Sequence, residues 1–303
     1  MSFEVTILGS GAALPTQKRN PTAQFISCNN RSILIDCGEG TQTQLRKAGV
    51  KIQKISHILI SHLHGDHYFG LVGLLSTMHL LGRDQGITVY GPIELELILK
   101  LQLEIGGTKL GYSICFIPLN GLEYKCLFQD KLIEIHTFPL KHKLPTNGFL
   151  IREKQKDRSI IGDEFKSAGL SLLAIPFFKK GEDYVNELGV TYHYKDFTYF
   201  PAKAKSYAFC SDTIYFQEVV QYIKGVTVLY HEATFTEKER ERAKKTMHST
   251  AKDAAKIARD AKVGRLLLGH LSARFDDGDL HIKEASEFFE NVEVVADLNV
   301  FRL

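Results

Sequence analysis

Short apolar runs along the chain alternate with stretches in which apolar residues recur every third or fourth position. Residues 3–8, 23–28, 32–36 and 57–60 are rich in Val, Ile, Leu and Phe and bounded by Gly, Asn or polar turns, the pattern of strands. Residues 66–81 then carry Phe69, Val72, Leu75 and Leu80 at helical spacing and stop at Gly82. A second helix is predicted over 93–105, after Gly91-Pro92. Strand patterns return at 113–118, 124–128, 131–138 and 148–151. The second half repeats a strand-and-helix rhythm. Strands at 207–210, 226–230, 265–268 and 292–295 are interleaved with helices over 216–223, 237–245, 250–261 and 281–290.

Two mixed halves of this kind predict an α/β fold, an αββα sandwich of two mixed sheets with helices outside; periodicity alone leaves a doubly wound parallel sheet open. Residues 153–205 break the rhythm. They carry charged clusters (Lys154, Lys156, Asp157, Arg158; Lys179, Lys180), aromatic pairs and few clean periods. The chain is therefore read as one domain over 1–303 with an inserted excursion at 153–205.

Composition changes this picture little. Hydrophobic residues at 44% and charged residues at 24% exclude a disordered or fibrous chain. A formal charge of +3 neither marks nor excludes a nucleic-acid partner. The five cysteines (Cys28, Cys37, Cys115, Cys126, Cys210) are scattered and form no C-x-x-C, so buried thiols of a reducing compartment are expected rather than disulfides or a thiolate metal site. The opening segment Met1-Ser2-Phe3-Glu4-Val5 starts directly into a strand pattern, and no run approaches the roughly 18 apolar residues of a membrane span. A cytoplasmic enzyme with no membrane partner is the expectation.

The chemistry concentrates at strand ends. The apolar run before His62 leads into His62-Leu63-His64-Gly65-Asp66-His67. His62 and His64 share a face of an extended segment, Gly65 permits a turn, and Asp66 and His67 open the following helix. Four titratable groups directly after a buried strand would be costly as core, but they suit two neighbouring metals. Imidazole with carboxylate fits zinc, and also manganese or iron. Three further runs end at His142, Asp212 and His270. Ligands at adjacent strand ends converge on one rim.

His57, His79 and His136 sit within apolar patterns and are read as structural, and His193 and His281 as surface positions. His231, followed by Glu232, ends a strand, while His248 precedes the helix-capping pattern Thr250-x-x-Asp253. Gly9-Ser10-Gly11 lacks a third glycine and is followed by Pro15, so it is read as a strand-exit turn rather than a nucleotide fingerprint. The basic loop Pro15-Thr16-Gln17-Lys18-Arg19-Asn20-Pro21 is either a solvated loop or a phosphate contact.

Together these features resemble the metallo-β-lactamase superfamily, whose sandwich carries H-x-H-x-D-H at a strand end. Within it, the chain resembles the ribonuclease Z family, endonucleases that remove the 3′ trailer of precursor tRNA. His231-Glu232-Ala233-Thr234 resembles that family's H-E-A-T motif, and His248-Ser249-Thr250 its H-S-T motif. His270-Leu271-Ser272-Ala273-Arg274-Phe275 resembles its last-ligand segment. Pro15–Asn20 resembles its P-x-K-x-R-N loop, one residue shorter between Lys and Arg.

The resemblance implies two Zn2+ (Mn2+ or Fe being alternatives), one held by His62, His64 and His142, the other by Asp66, His67 and His270, with Asp212 bridging. It implies that Asp66 orients the attacking water and accepts its proton, that His248 supported by Glu232 protonates the departing 3′-oxygen, and that Lys18, Arg19, Asn20 and Arg274 hold phosphates or the 3′ end. It also implies that 153–205 is an arm that clamps precursor tRNA, and that the protein is a homodimer. The excursion contains no Gly-Pro element and its charge is nearly balanced. Rival readings on the same residues are another dinuclear hydrolase of the superfamily (a phosphodiesterase or thioester hydrolase), a diiron oxidoreductase, and an RNA-binding module without catalysis. The H-E-A-T and H-S-T pair argues against a thioester hydrolase, the lack of a flavin-domain motif against the oxidoreductase, and the complete ligand set against the binding module.

Overall fold

The computed structural model describes residues 3–303; Met1 and Ser2, which begin the opening segment read above, lie outside the described residues. The chain forms two compact units, one ending at Glu153 and resuming at Lys205, the other spanning Lys154–Ala204.

The first unit is built on two seven-stranded sheets. One orders its strands as Val300–Arg302, Phe3–Gly9, Ala23–Cys28, Arg31–Ile35, Ile55–Leu59, Ile87–Pro92 and Ile114–Leu119. The other runs Val292–Val294, Arg265–Gly269, Val228–Glu232, Ser206–Cys210, Thr146–Glu153, Ile133–Leu140 and Lys125–Gln129. Each sheet joins antiparallel neighbours on one side to parallel neighbours on the other. Mixed pairing in both sheets replaces the doubly wound alternative with the sandwich.

The strands read as nearly continuous apolar runs because both of their faces are covered. Val5, Ile7, Ile26, Ile33 and Leu59 pack against Phe149, Tyr207, Phe209, Tyr230 and Leu267 between the sheets. On the outer face of the first sheet, Leu34, Ile58 and Val89 meet Leu74, Leu75 and Leu95 of the helices Leu71–Leu80 and Ile93–Ile105. On the outer face of the second, Leu150, Leu229 and Leu266 meet the alanines of helix Ala251–Ala261, whose small side chains permit close approach. Each such fully buried aliphatic side chain contributes roughly 1.5–3 kcal/mol.

Three local features depart from the sequence pattern. The helix expected over 66–81 is two helices, Gly65–Tyr68 and Leu71–Leu80. Gly70 separates them: its N–H donates to the Cys37 carbonyl at 2.9 Å, and a Cβ there would lie 2.2 Å from the Gly38 carbonyl oxygen. Helix Thr41–Lys47 was not anticipated; it buries only Thr41, Gln44 and Leu45, too few apolar residues to show a period. His281 is a correction. It is fully buried in helix Asp279–Ser286, edge-on to the Phe275 ring at 4.7 Å, and not a surface residue. The five cysteines form no disulfide among the described residues. Cys28, Cys37 and Cys210 are buried, whereas Cys115 and Cys126 are exposed.

The second unit, Lys154–Ala204, has a small core of its own, formed by Phe165, Ala174 and Phe178. The Phe197 ring stacks on Phe178 at 5.3 Å. Two short ladders, Ser159–Ile160 with Thr198–Tyr199 and Tyr184–Val185 with Thr191–Tyr192, tie its ends and its turn. Among the described residues, no helix is long and apolar enough to cross a membrane.

Candidate metal centre

Strand register brings the site together. Ile55–Leu59 leads into His62, Ile133–Leu140 into His142, Ser206–Cys210 into Asp212 and Arg265–Gly269 into His270. In the second sheet, parallel pairing sets Cys210 beside His231 and Glu232 beside Gly269, so these strands end at a common rim. His270 adopts φ +57°, a left-handed conformation that turns the chain at the strand end.

The side chains fall into adjoining sets. His62, His64, His142 and Asp212 gather in one, and Asp66, His67 and His270 in another; Asp212 and His270 also come together with His248 in a third. Asp212 faces the first two. Its Oδ2 lies 3.5 Å from His62 Nε2 and 3.8 Å from His142 Nε2, and its Oδ1 lies 3.4 Å from His67 Nε2 and 3.2 Å from His270 Nε2. Asp66 Oδ2 is 3.4 Å from both His67 Nε2 and His270 Nε2 and accepts the Ala13 N–H at 2.9 Å. His64 presents Nδ1 instead, 2.9 Å from His62 Nε2 and 3.3 Å from His142 Nε2.

A second layer orients these rings. Asp36 accepts the Ser61 N–H, the Ser61 hydroxyl and His67 Nδ1–H, the last at 2.7 Å. With its proton committed to Asp36, Ser61 accepts from His62 Nδ1 at 3.0 Å. His142 Nδ1 donates to the Met247 carbonyl at 2.8 Å. The Thr234 hydroxyl donates to Glu232 Oε2 and so accepts from His270 Nδ1 at 3.0 Å. Each of these four Nδ1 atoms therefore carries a proton, and each Nε2 is the atom turned inward.

Four Nε2 atoms and two carboxylates face one another here, and the negative charge of the carboxylates must be met by a proton on a ring or by cations between the groups. His67 Nε2 and Asp212 Oδ1 are buried without any hydrogen-bond partner. Two ligands about 2.0–2.1 Å from one tetrahedral cation sit roughly 3.3 Å apart, close to the observed spacings. Electrostatics agree. Burial and the charge of His67 push His62 down to about 3, leaving it neutral and free to ligate. Burial alone would also lower His67, but the charges of Asp66, Asp212 and Asp36 outweigh it and push the imidazole well up. Burial pushes Asp66 up, yet His67 and His270 together hold it well below the usual carboxylate range. Such a negative field suits divalent cations, and the donor set fits two.

His248 stands beside this centre, its ring 4.9 Å from that of His142. Its Nδ1 meets buried Glu232 Oε1 at 2.8 Å, which leaves Nε2 for the cleft. Glu232 also accepts the N–H groups of Thr213, Thr234 and Ser249. Burial would lower His248, but the charges of Glu232 and Asp212 push it up to about 9, so it is protonated at neutral pH. Thr250 and Asp253 form a reciprocal capping box that starts helix Ala251–Ala261 immediately after His248-Ser249.

These residues line a cleft of about 710 Å³, whose walls include Arg274, Arg242, Lys143, Phe69 and Leu14. A family model described as Anti-Pycsar protein Apyc1 matches residues 3–142. The chain is 42% identical to Ribonuclease Z of Phocaeicola vulgatus over 95% of its own length and 94% of that protein. It is 41% identical to Ribonuclease Z of Bacteroides thetaiotaomicron over 95% and 91%. This chain belongs to the ribonuclease Z family. The solved structure of human tRNase Z, short form, superposes with a TM-score of 0.71 at 28% identity, covering 98% of each chain. YhfI from Bacillus subtilis, a metallo-β-lactamase fold protein, superposes at 0.70 with 18% identity over the whole of both chains, a likeness of fold.

Against that family background, the motif loop takes an unexpected place. Lys18 is exposed and does not line the cleft. The Arg19 guanidinium donates to the Phe275 carbonyl at 2.7 Å, and burial lowers its pKa despite the nearby Asp297, Asp277 and Asp276. Asn20 gives both its backbone and side-chain N–H to Asp297, each at 2.8 Å. Arg274 does line the cleft. His231 is buried, its Nδ1 donating to the Glu232 carbonyl at 2.7 Å, and lies outside the ligand sets. Sequence reasoning missed Asp36, Arg242 and Lys143, and named Thr234 within its motif without giving it a role. Asp36 ends a strand run just before Cys37-Gly38, where its sequence setting is that of a turn residue; in the structure its φ of +55° turns the chain.

Proposed function

We propose that this protein is a metal-dependent endoribonuclease that removes the 3′ trailer of precursor tRNA, leaving a 3′-hydroxyl on the tRNA. The observation that carries the reading is a shared one: two ligand sets meet on Asp212, and a protonated His248–Glu232 pair opens into the same cleft. His62, His64 and His142 would hold one Zn2+, Asp66, His67 and His270 the other, with Asp212 between. Two bound cations supply positive charge that polarises a phosphodiester and eases ionisation of water.

The protein's own groups do the rest. Asp66, held ionised and anchored by the Ala13 N–H, orients the attacking water and accepts its proton. Water adds to phosphorus in line, and the bond from phosphorus to the 3′-oxygen breaks. His248 gives its proton to that oxygen while Glu232 steadies the ring. Arg274, exposed in the cleft, and Lys18, exposed at the motif loop, contact phosphates. Arg19 holds the segment that presents Arg274, and Asn20 ties the motif loop to Asp297.

The unit Lys154–Ala204 serves as the arm that grips the tRNA body, and the active form is a cytoplasmic homodimer. Exposed Ile93, Leu97, Leu101 and Ile105, spaced four apart on one helix, support a partner surface, and the three buried thiols support a reducing compartment. Asp66→Ala should abolish cleavage of precursor tRNA while leaving its binding largely intact; retained turnover would remove Asp66 from the chemistry. Deleting the arm should weaken tRNA binding yet spare hydrolysis of a small phosphodiester, and loss of both would contradict a separable arm.

A further inference from the structure

The phenyl ring of Phe69 is an exposed aromatic ring in the wall of the cleft. It directly follows the ligand helix Gly65–Tyr68, yet it is 66% exposed. The other phenylalanine lining the cleft, Phe235, is only 4% exposed. Phe69 does not hang loosely. Its N–H donates to the Gly65 carbonyl at 2.9 Å, and the next residue, Gly70, is tied to Cys37. Its ring lies against Gly65, where a Cβ would come within 2.2 Å of a ring carbon, and meets the Tyr68 ring edge-on at 5.0 Å. The glycine inside the ligand motif thus makes room for this ring.

A fixed aromatic ring, kept in water beside Asp66 and in a cleft that also presents Arg242, Lys143 and Arg274, matches one ligand chemistry: a strand of alternating bases and phosphates. The cations attract phosphates, and none of them offers a flat apolar surface. Stacking suits a substrate of varied sequence, because every base has a π-face whatever its edges carry.

We propose that Phe69 is a stacking platform for a nucleobase directly flanking the scissile phosphate, a substrate-positioning residue that holds the single strand across the centre without reading its sequence. This rests on the RNA-cleaving reading above. The test is single-turnover cleavage of precursor tRNA by the full-length metal-loaded enzyme, comparing wild type, Phe69→Ala and Phe69→Trp. Each is crossed with substrates abasic at the nucleotide on either side of the cut. A base–aromatic stack of about 1–3 kcal/mol corresponds to roughly a 5- to 150-fold loss for Phe69→Ala on the intact substrate, with Phe69→Trp retaining most of the rate. At one of the two positions, the abasic substrate should cost wild type a similar factor and cost Phe69→Ala almost nothing more. Losses that multiply at both positions, or a Phe69→Ala rate equal to wild type, would overturn the platform. Failure of the wild type to cut intact precursor tRNA would instead overturn the parent reading and this inference with it.

Discussion

The two sheets build their halves of the metal centre in opposite ways. The first contributes four candidate ligands from a single six-residue segment, His62 to His67, which spacing brings together and Asp36 and Ser61 orient. The second contributes His142, Asp212 and His270 one at a time, each from its own strand end, separated by about sixty to seventy residues. Their convergence depends on parallel register for Asp212 and His270 and two antiparallel pairings for His142, on the left-handed turn at His270, and on backbone and hydroxyl partners such as Met247 and Thr234. The contiguous half is robust because local sequence encodes it. The dispersed half is only as precise as the packing beneath it, and it also carries the proposed acid, since Glu232 and His248 lie on the same rim.

The acid is where this contrast bears most on rate. His248→Ala should lower single-turnover cleavage about 10²–10⁴-fold while changing tRNA affinity little. An effect confined to affinity would show that the second sheet's rim binds rather than protonates. Next in size are the orienting partners, one behind each half. Asp36→Asn leaves His67 and Ser61 short of an acceptor oxygen, and Thr234→Val removes the acceptor of His270 Nδ1–H. Each should reduce metal affinity or activity roughly 10- to 100-fold, read by chelator competition. Unchanged affinity in both variants would mean that the ligands need no second layer.

The smallest effect is on pH. An acid must be protonated, so wild-type rate should persist below, and fall as pH rises through, about 9, where His248 loses its proton. Glu232→Gln removes the charge that contributes most to raising it, so the fall should begin at lower pH. A pH profile that does not move would separate Glu232 from His248.

The same contrast explains what was readable beforehand. Strands could be placed because both faces are apolar, and His62–His67 because four titratable groups crowd one turn. His142, Asp212 and His270 were visible as strand ends, but register, which no short window contains, determines that they meet. Asp36 was hidden because a lone carboxylate after a strand resembles any turn residue. His281 was misjudged because helix Asp279–Ser286 has a weak apolar face, and its burial depends on Phe275 from another segment. Arg19 and Asn20 look like free phosphate ligands in sequence. Only the distant partners Phe275 and Asp297 reveal that they brace a loop.

The central claim is that both halves assemble one two-cation centre that cuts precursor tRNA. Metal content and cleavage should be measured on the same purified preparation, wild type beside Asp212→Ala. The account predicts two equivalents of divalent metal per chain and trimming to a tRNA 3′-hydroxyl in wild type, with both metals weakened and cleavage lost in the variant. Full cleavage by Asp212→Ala, or by a wild-type preparation stripped of metal, would contradict it.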